Sequence, residues 1–312
     1  MVVGLATQRG DGAVVSLITS MPEMTLDLIY ALSLMGVAAI VAIVYGLRVL
    51  TQGKAQFDRV DKQGGSALLG KGVMHGAYWS LQPLARLLIF FRITPNMVSW
   101  ASFGFALGAG ACLSFGHFGF GAVFATVSAF LDTLDGMVAR LTGVSSDAGE
   151  VLDAAVDRYA EFFFLGGLVI YYREIPLLLV VTLVALIGSF MVSYSSAKAE
   201  ALQVSAPKGA MRRPERAVYL TLGALFSPIT IPLFEQIRPY GIAIGHPMVI
   251  ALGLVAVMSN VSAAERLWAI ARAVRLREAE QRANAAALDS HSSSVQDEVS
   301  PSASAKAPVK LN

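Results

Sequence analysis

Hydrophobic positions run along this chain in long unbroken stretches separated by short polar pieces. The first stretch, Leu28 to Leu47, has 20 residues and no charge, about the length of helix that crosses the hydrocarbon of a bilayer. A basic segment follows, with Arg48, Lys54, Arg59, Lys62 and Lys71, and the Gly64–Gly65 pair marks a linker within it. Residues 73–93 mix Tyr78, Trp79, Leu81, Leu84, Leu87 and Leu88 with His75, Gln82, Arg86 and Arg92. That mixture predicts a helix lying in the membrane interface rather than crossing it, started or kinked at Pro83. Thr94-Pro95-Asn96 predicts a helix start, with a capping Thr and Pro at the first position. Six further apolar stretches cover 97–115, 118–138, 150–171, 175–202, 215–234 and 245–271. In the first of them Gly104 and Gly108 form a GxxxG, which predicts a close helix contact.

Composition agrees with a membrane protein. Only 15% of the 312 residues are charged and 55% are hydrophobic, against about 25% charged in a soluble domain. The net charge of +2 gives no reason to expect a nucleic-acid partner. Placement of the basic residues is more informative than their sum. Arg140, Lys208, Arg212 and Arg272 fall on one side of a seven-span arrangement, and only Arg173 and Arg238 on the other. The positive-inside rule then sets the N-terminus outside and the C-terminus inside. The lone Cys112 is expected to be a packing residue. Trp79, Trp100, Tyr171 and Tyr172 are expected as interface anchors. His75, His117, His246 and His291 have no metal-ligand spacing, and Ser145 and Ser146 have no His nearby for a hydrolytic triad.

The chemistry lies between Leu131 and Arg158. Asp132 and Asp135 are three residues apart and Asp153 and Asp157 four apart, and either spacing puts a pair on one face of a helix. The first pair ends one apolar stretch and the second begins the next. Two antiparallel helices therefore bring four carboxylates together at one end of the membrane domain. Such a cluster is costly unless a hard divalent cation neutralises it, and oxygen ligands suit Mg²⁺ or Mn²⁺. Gly136, Ala139 and Gly149 leave room at the helix backbones, and Arg140 can pair with a carboxylate or a phosphate.

These positions carry a resemblance. Asp132-x2-Asp135-Gly136-x2-Ala139-Arg140-x8-Gly149-x3-Asp153-x3-Asp157 resembles the signature of the CDP-alcohol phosphotransferase family. The resemblance implies an enzyme of phospholipid biosynthesis that displaces CMP from a CDP-linked lipid with an alcohol. It implies that Asp132, Asp135 and Asp153 hold Mg²⁺ or Mn²⁺, and that Asp157 completes the metal site and acts as general base. Asp132, Gly136, Ala139, Arg140 and Gly149 would meet the cytidine nucleotide. The implied fold is all-α: a six-helix membrane core preceded by an interfacial helix, here with one extra N-terminal transmembrane helix. The division expected is a tail at 1–24, the extra helix at 25–48 and a cytoplasmic linker at 49–72. The catalytic membrane domain follows at 73–279, then a disordered tail at 280–312. A bacterial inner-membrane location with a cytoplasmic active site goes with this reading, and a homodimer is among the partners expected.

The acceptor side is carried by Ser193 to Glu200 and by Met211-Arg212-Arg213-Pro214-Glu215-Arg216. Within the family this region is similar to phosphatidylinositol-phosphate synthases, which accept inositol phosphate. Lys198, Arg213 and Arg216 are the expected contacts to an anionic alcohol. Ser196 stands where that group tends to have a basic residue, Lys198 replaces an Arg, and Arg212 stands where an acidic residue is common. Glycerol phosphate is the rival acceptor. A different class, a cation transporter using the acidic cluster as its ion site, is the other alternative.

Overall fold

Backbone in hydrocarbon must satisfy its hydrogen bonds within its own segment, so the apolar runs become helices. The computed structural model describes residues 8–53, 57, 70–144, 146–205, 207, 209, 211–234 and 242–299. Among these the elements are α1 (Gln8–Gln52), α2 (Lys71–Phe90), α3 (Pro95–Ser114), α4 (Phe118–Thr142), α5 (Asp147–Tyr171), α6 (Pro176–Ala201), α7 (Arg213–Thr230), a 3₁₀ turn (Pro232–Phe234) and α8 (His246–Val299). Lys54, Arg59, Lys62, Gly64–Gly65, Ser145, Lys208, Arg238 and residues 300–312 lie outside the described residues, as do the side chains of Lys71 and His291.

The chain is an all-α integral membrane protein. Among the described residues, five helices are long and apolar enough to cross a bilayer: Thr25–Gln52, Pro95–Ser114, Phe118–Thr142, Pro176–Ala201 and His246–Ala286. The other two expected spans, α5 and α7, carry Asp153, Asp157 and Glu161 and Arg213, Glu215 and Arg216 respectively. These charges belong to the site.

One apolar core joins seven helices through Ala31, Leu113, Phe118, Leu165, Leu168, Leu178, Leu220, Leu252 and Val255. A second, smaller cluster of Leu81, Ala85, Val98, Leu134, Met137 and Val138 packs α2 against α3 and the end of α4. It braces the turn of α4 on which Asp132 and Asp135 stand.

Several expectations are corrected. Of the tail expected at 1–24, residues 8–24 continue into the helix expected at 25–48, as α1 runs from Gln8 to Gln52. Pro83 lies inside a single helix instead of starting one. Helix α8 continues to Val299, past the boundary placed at 279, because its charged, Ala-rich stretch has high helix propensity. In the GxxxG, Gly108 packs closely against the Phe124 ring of α4, whereas a Cβ on Gly104 would meet nothing within 4 Å. Helix α3 meets the backbone of α5 at Gly110 and Gly167, where a Cβ on either would strike the other helix's backbone. Tyr172 is fully buried, and Tyr171 and Tyr172 donate to the Ala243 and Ile244 carbonyls at 2.6 and 2.7 Å. They anchor a loop rather than the interface. Thr94 caps α3 as predicted, accepting from the Met97 amide at 3.4 Å.

Helix α1 is tied to the core by a polar contact. Asp27 is buried and its Oδ1 accepts from the Phe120 amide at 2.9 Å. His117, at the N-cap of α4, makes no capping bond itself. The first turn of α4 has donors without intrahelical partners, and a carboxylate from another helix supplies the acceptor.

Candidate active site

The site forms where α4 ends and α5 begins. Helix α4 stops at Gly143, which takes the left-handed conformation at φ 71°. The Val144 amide then reaches back to the Ala139 carbonyl at 3.1 Å, closing the helix end. After a few residues Ser146 caps α5, accepting from the Gly149 amide at 3.1 Å. The two antiparallel helices thus set their acidic turns side by side.

Ligand oxygens of Asp132, Asp153 and Asp157 all lie within 4.8 Å of one another. This is three of the four expected carboxylates. The fourth, Asp135, is buried and its Oδ2 accepts from Ser99 Oγ of α3 at 2.6 Å. Three half-buried carboxylates at this separation repel strongly unless a cation lies among them. Their oxygen-only donor set is that of Mg²⁺ or Mn²⁺, so the residues fit the metal.

Arg213 reaches this cluster. Its guanidinium is paired with Asp157 Oδ1 and lies 3.4 Å from Asp132 Oδ2. Its neighbour one turn on is placed differently. Arg216 is wholly buried, and its Nε and Nη2 bond Glu161 at 2.6 and 2.9 Å, a bidentate pair. A third bond goes to the Met211 carbonyl at 3.4 Å. Arg216 therefore faces Glu161, not an open acceptor pocket. Lys198 is exposed in the last turn of α6.

The residues expected to meet the nucleotide gather at the same end. Gly136, Ala139 and Arg140 occupy the last turns of α4 and Gly149 the first turn of α5. The Arg140 guanidinium folds over Gly136, where a Cβ would come within 3.0 Å of Nη1. From Asp132 and Asp157 a cleft continues between α3, α4, α5 and α7. Small side chains, Ala106, Ala109, Ala125, Ala129, Ala160 and Ala217, line it, with Phe164 and Leu220 beyond.

Two residues at the site were not singled out from the sequence. Glu161 continues the Asp153, Asp157 series at the same spacing of four, so its place on that face was legible. Ser99 gave only the weak signal of a polar residue in an apolar helix.

Residues 84–258 match the profile of the family described as CDP-alcohol phosphatidyltransferase. The chain belongs to that family. It is a CDP-alcohol phosphatidyltransferase, a metal-using membrane transferase of phospholipid biosynthesis, and the transporter alternative falls away. Among its relatives, the phosphatidylinositol phosphate synthase of Mycobacteroides abscessus is 34% identical over 194 residues, 60% of this chain and 82% of that protein. The enzyme of the same description from Corynebacterium glutamicum is 31% identical over 170 residues, covering 53% and 78%. The archaetidylinositol phosphate synthase of Pyrococcus horikoshii is 35% identical over 162 residues, covering 49% and 82%. Among solved structures, Mycobacterium tuberculosis phosphatidylinositol phosphate synthase with CDP-DAG bound matches with a TM-score of 0.52 and 26% identity, over 60% of this chain and 92% of that one. Its complex with manganese and citrate matches with a TM-score of 0.52 and 27% identity, over 60% and 87%.

Proposed function

We propose that this CDP-alcohol phosphatidyltransferase moves the phosphatidyl group of CDP-diacylglycerol onto inositol phosphate and releases CMP. We place the reaction at the cytoplasmic face of a bacterial inner membrane. The observation that carries the reading is Arg213, a cation on the acceptor-side helix α7 that touches two of the three clustered carboxylates. An anionic alcohol held there has its hydroxyl beside the same carboxylates. Relatives described as synthases of inositol phospholipids support the choice of acceptor.

The cytidine moiety would lie over Gly136, Ala139 and Arg140, with Gly149 across the loop. The cleft of small side chains leads from Asp132 and Asp157 toward Phe164 and Leu220 and suits the apolar part of the lipid. A divalent cation on Asp132, Asp153 and Asp157 would neutralise charge on the diphosphate and on the departing CMP. Asp135, held by Ser99, adds negative charge from behind. The acceptor hydroxyl oxygen attacks the phosphatidyl phosphorus. The bond from that phosphorus to the CMP oxygen breaks, CMP leaves with the electron pair, and Asp157 takes the hydroxyl proton. Arg213 and Lys198 orient the acceptor phosphate, and alignment of the two substrates supplies much of the remaining rate.

The test is an acceptor screen on the purified chain with CDP-diacylglycerol and Mg²⁺, reading CMP release. Inositol phosphate should be turned over better than glycerol phosphate and far better than free inositol. Preference for glycerol phosphate would make the enzyme a phosphatidylglycerophosphate synthase. Preference for a neutral alcohol would remove the phosphate contact altogether.

A further inference from the structure

Helix α1 lies outside the stretch 84–258 that matches the family, and it is fastened to the bundle near its two ends. At one end Asp27 accepts from the Phe120 amide, the Tyr30 and Phe120 ring centroids lie 4.0 Å apart, and Ala31, Leu34 and Met35 join the main core. At the other end the Tyr45 ring packs on Trp79 and against Gly76 of α2, and the Arg48 guanidinium lies over Trp79 at 5.5 Å. Between these fastenings every residue from Gly36 to Val44 is exposed. A helix packed along its whole length buries about one residue in every three or four. Asp27, Ala31, Leu34 and Tyr45 share one face at helical spacing, and Ala38, Val41 and Ala42 continue that face between them. Helix α1 is therefore a bridge, pinned at both ends, whose inward face is bare in the middle.

The bridge crosses the side of the bundle where the cleft of the site opens. Helix α1 touches both α4 and α7, and it runs in the same direction as α4 from the contact of Asp27 with Phe120. A further about 14 Å, at 1.5 Å per residue, leads to Gly36 on α1 and to Ala129 on α4. The bare stretch thus stands at the level of Ala129 to Met137, which includes Asp132. Ala129 of α4 and Ala217 of α7 line the cleft and are themselves exposed, so the cleft has a lateral mouth between these two helices. Phe130 is exposed beside it. Apolar gaps stay dry, and a lipid tail is as apolar as the side chains on either wall.

We propose that α1 closes one side of the lipid-donor site. An acyl chain of the CDP-linked lipid lies in the gap between Ala38, Val41 and Ala42 of α1 and the mouth at Ala129 and Ala217, so the appended helix helps to set which chains the enzyme accepts. This rests on the reading above that the cleft takes the apolar part of the donor. Continuity of the mouth with Asp132 and Asp157 favours the donor over a lipid of the surrounding bilayer, because the phosphorus that reacts at those carboxylates is joined to the chains that leave through the mouth.

The test is photolabelling and kinetics on the full chain in detergent micelles with Mg²⁺. CDP-diacylglycerol carrying a diazirine on an acyl chain should label α1 between Gly36 and Val44, read by mass spectrometry. Excess unlabelled CDP-diacylglycerol should compete for that label and phosphatidylcholine should not. Ala38→Phe, which fills the gap, should raise the KM for the dioleoyl donor about tenfold, leave the KM for the acceptor unchanged and affect the dihexanoyl donor much less. Ile40→Phe, on the opposite side of α1, should alter none of these. The labelling needs no acceptor, so its failure is separate from a failure of the acceptor assignment. Wild type that releases CMP while α1 takes no label overturns the inference. Label that phosphatidylcholine removes equally well also overturns it, since the gap then holds bulk lipid. So does a loss in Ala38→Phe that is the same for both donors, which marks damage to the fold. Wild type that releases no CMP from any CDP-linked lipid with any alcohol refutes the function proposed above, and this inference with it.

Discussion

Asp157 has two candidate duties, ligand and base, and its surroundings let an experiment separate them. It shares a cluster with Asp132 and Asp153 and is paired with Arg213. If it takes the acceptor proton, Asp157→Asn should lower kcat by roughly 10²- to 10⁴-fold while CMP affinity stays near wild type. Equal losses of CMP affinity and rate would leave it a ligand only. Asp132→Asn and Asp153→Asn should instead lose Mn²⁺ binding and turnover together, which electron paramagnetic resonance of Mn²⁺ can follow directly. Glu161 is of another kind, since its partner is wholly buried. Glu161→Gln leaves the Arg216 charge without a counter-ion, and breaking a buried pair from one side costs about 3–5 kcal/mol. Thermal unfolding in detergent should show a large loss. Glu161→Leu with Arg216→Met, which removes both charges, should recover much of it. Arg216 was expected at the acceptor as part of the basic Met211–Arg216 segment. Only the acid opposite it shows that its guanidinium is engaged elsewhere.

Among the helices, α3 and α5 make a backbone contact about three turns away from the carboxylates. Gly110 and Gly167 bring the two backbones together. Gly167→Ala should force them apart and destabilise by about 1–3 kcal/mol, as overpacking does. Gly104→Ala, pointing into open space, should be neutral or stabilising, since Ala is the better helix former by about 1 kcal/mol. Comparable losses in the two variants would refute this placement of the contact. At its other end α4 depends on α1. Asp27→Ala should destabilise by about 0.5–2 kcal/mol, the range for losing a helix cap, with the effect reported by unfolding of the whole core. If the loss is absent, the appended helix is only an anchor.

At the scale of the molecule, the arrangement proposed is an N-terminus outside, the α4–α5 turn inside and the C-terminus inside. In a Cys112→Ser background, a cysteine at Ser146 should react with an impermeant reagent only from the cytoplasmic side. Labelling from the outside would overturn both the orientation and the access of the site to cytoplasmic CDP-lipid. Chelation by EDTA should abolish CMP release and Mg²⁺ or Mn²⁺ should restore it. Full turnover in metal-free buffer would remove the carboxylate cluster from the mechanism.

Apolar run length and the spacing of acids were enough to read the helices and the place of the chemistry from the chain alone. A span needs its length in consecutive apolar residues, and carboxylates three or four apart share a face whatever surrounds them. Thr94 as a cap and the α4–α5 acidic turn were local in the same sense. What stayed hidden depends on which distant groups meet. GxxxG names two glycines, but whether another backbone arrives at Gly104 or at Gly110 is settled by how α3 crosses α5. The basic residues near Arg213 looked alike in sequence. Among the described residues, pairing with Glu161 on α5, with Glu215, or with Ser196 divides them into a braced Arg216, a paired Arg212 and an Arg266 held by a neutral hydroxyl. Asp27 capping Phe120 and Ser99 holding Asp135 are of the same origin. Charge and hydrogen bonding act over a few ångströms in space, and sequence separation carries no measure of that distance.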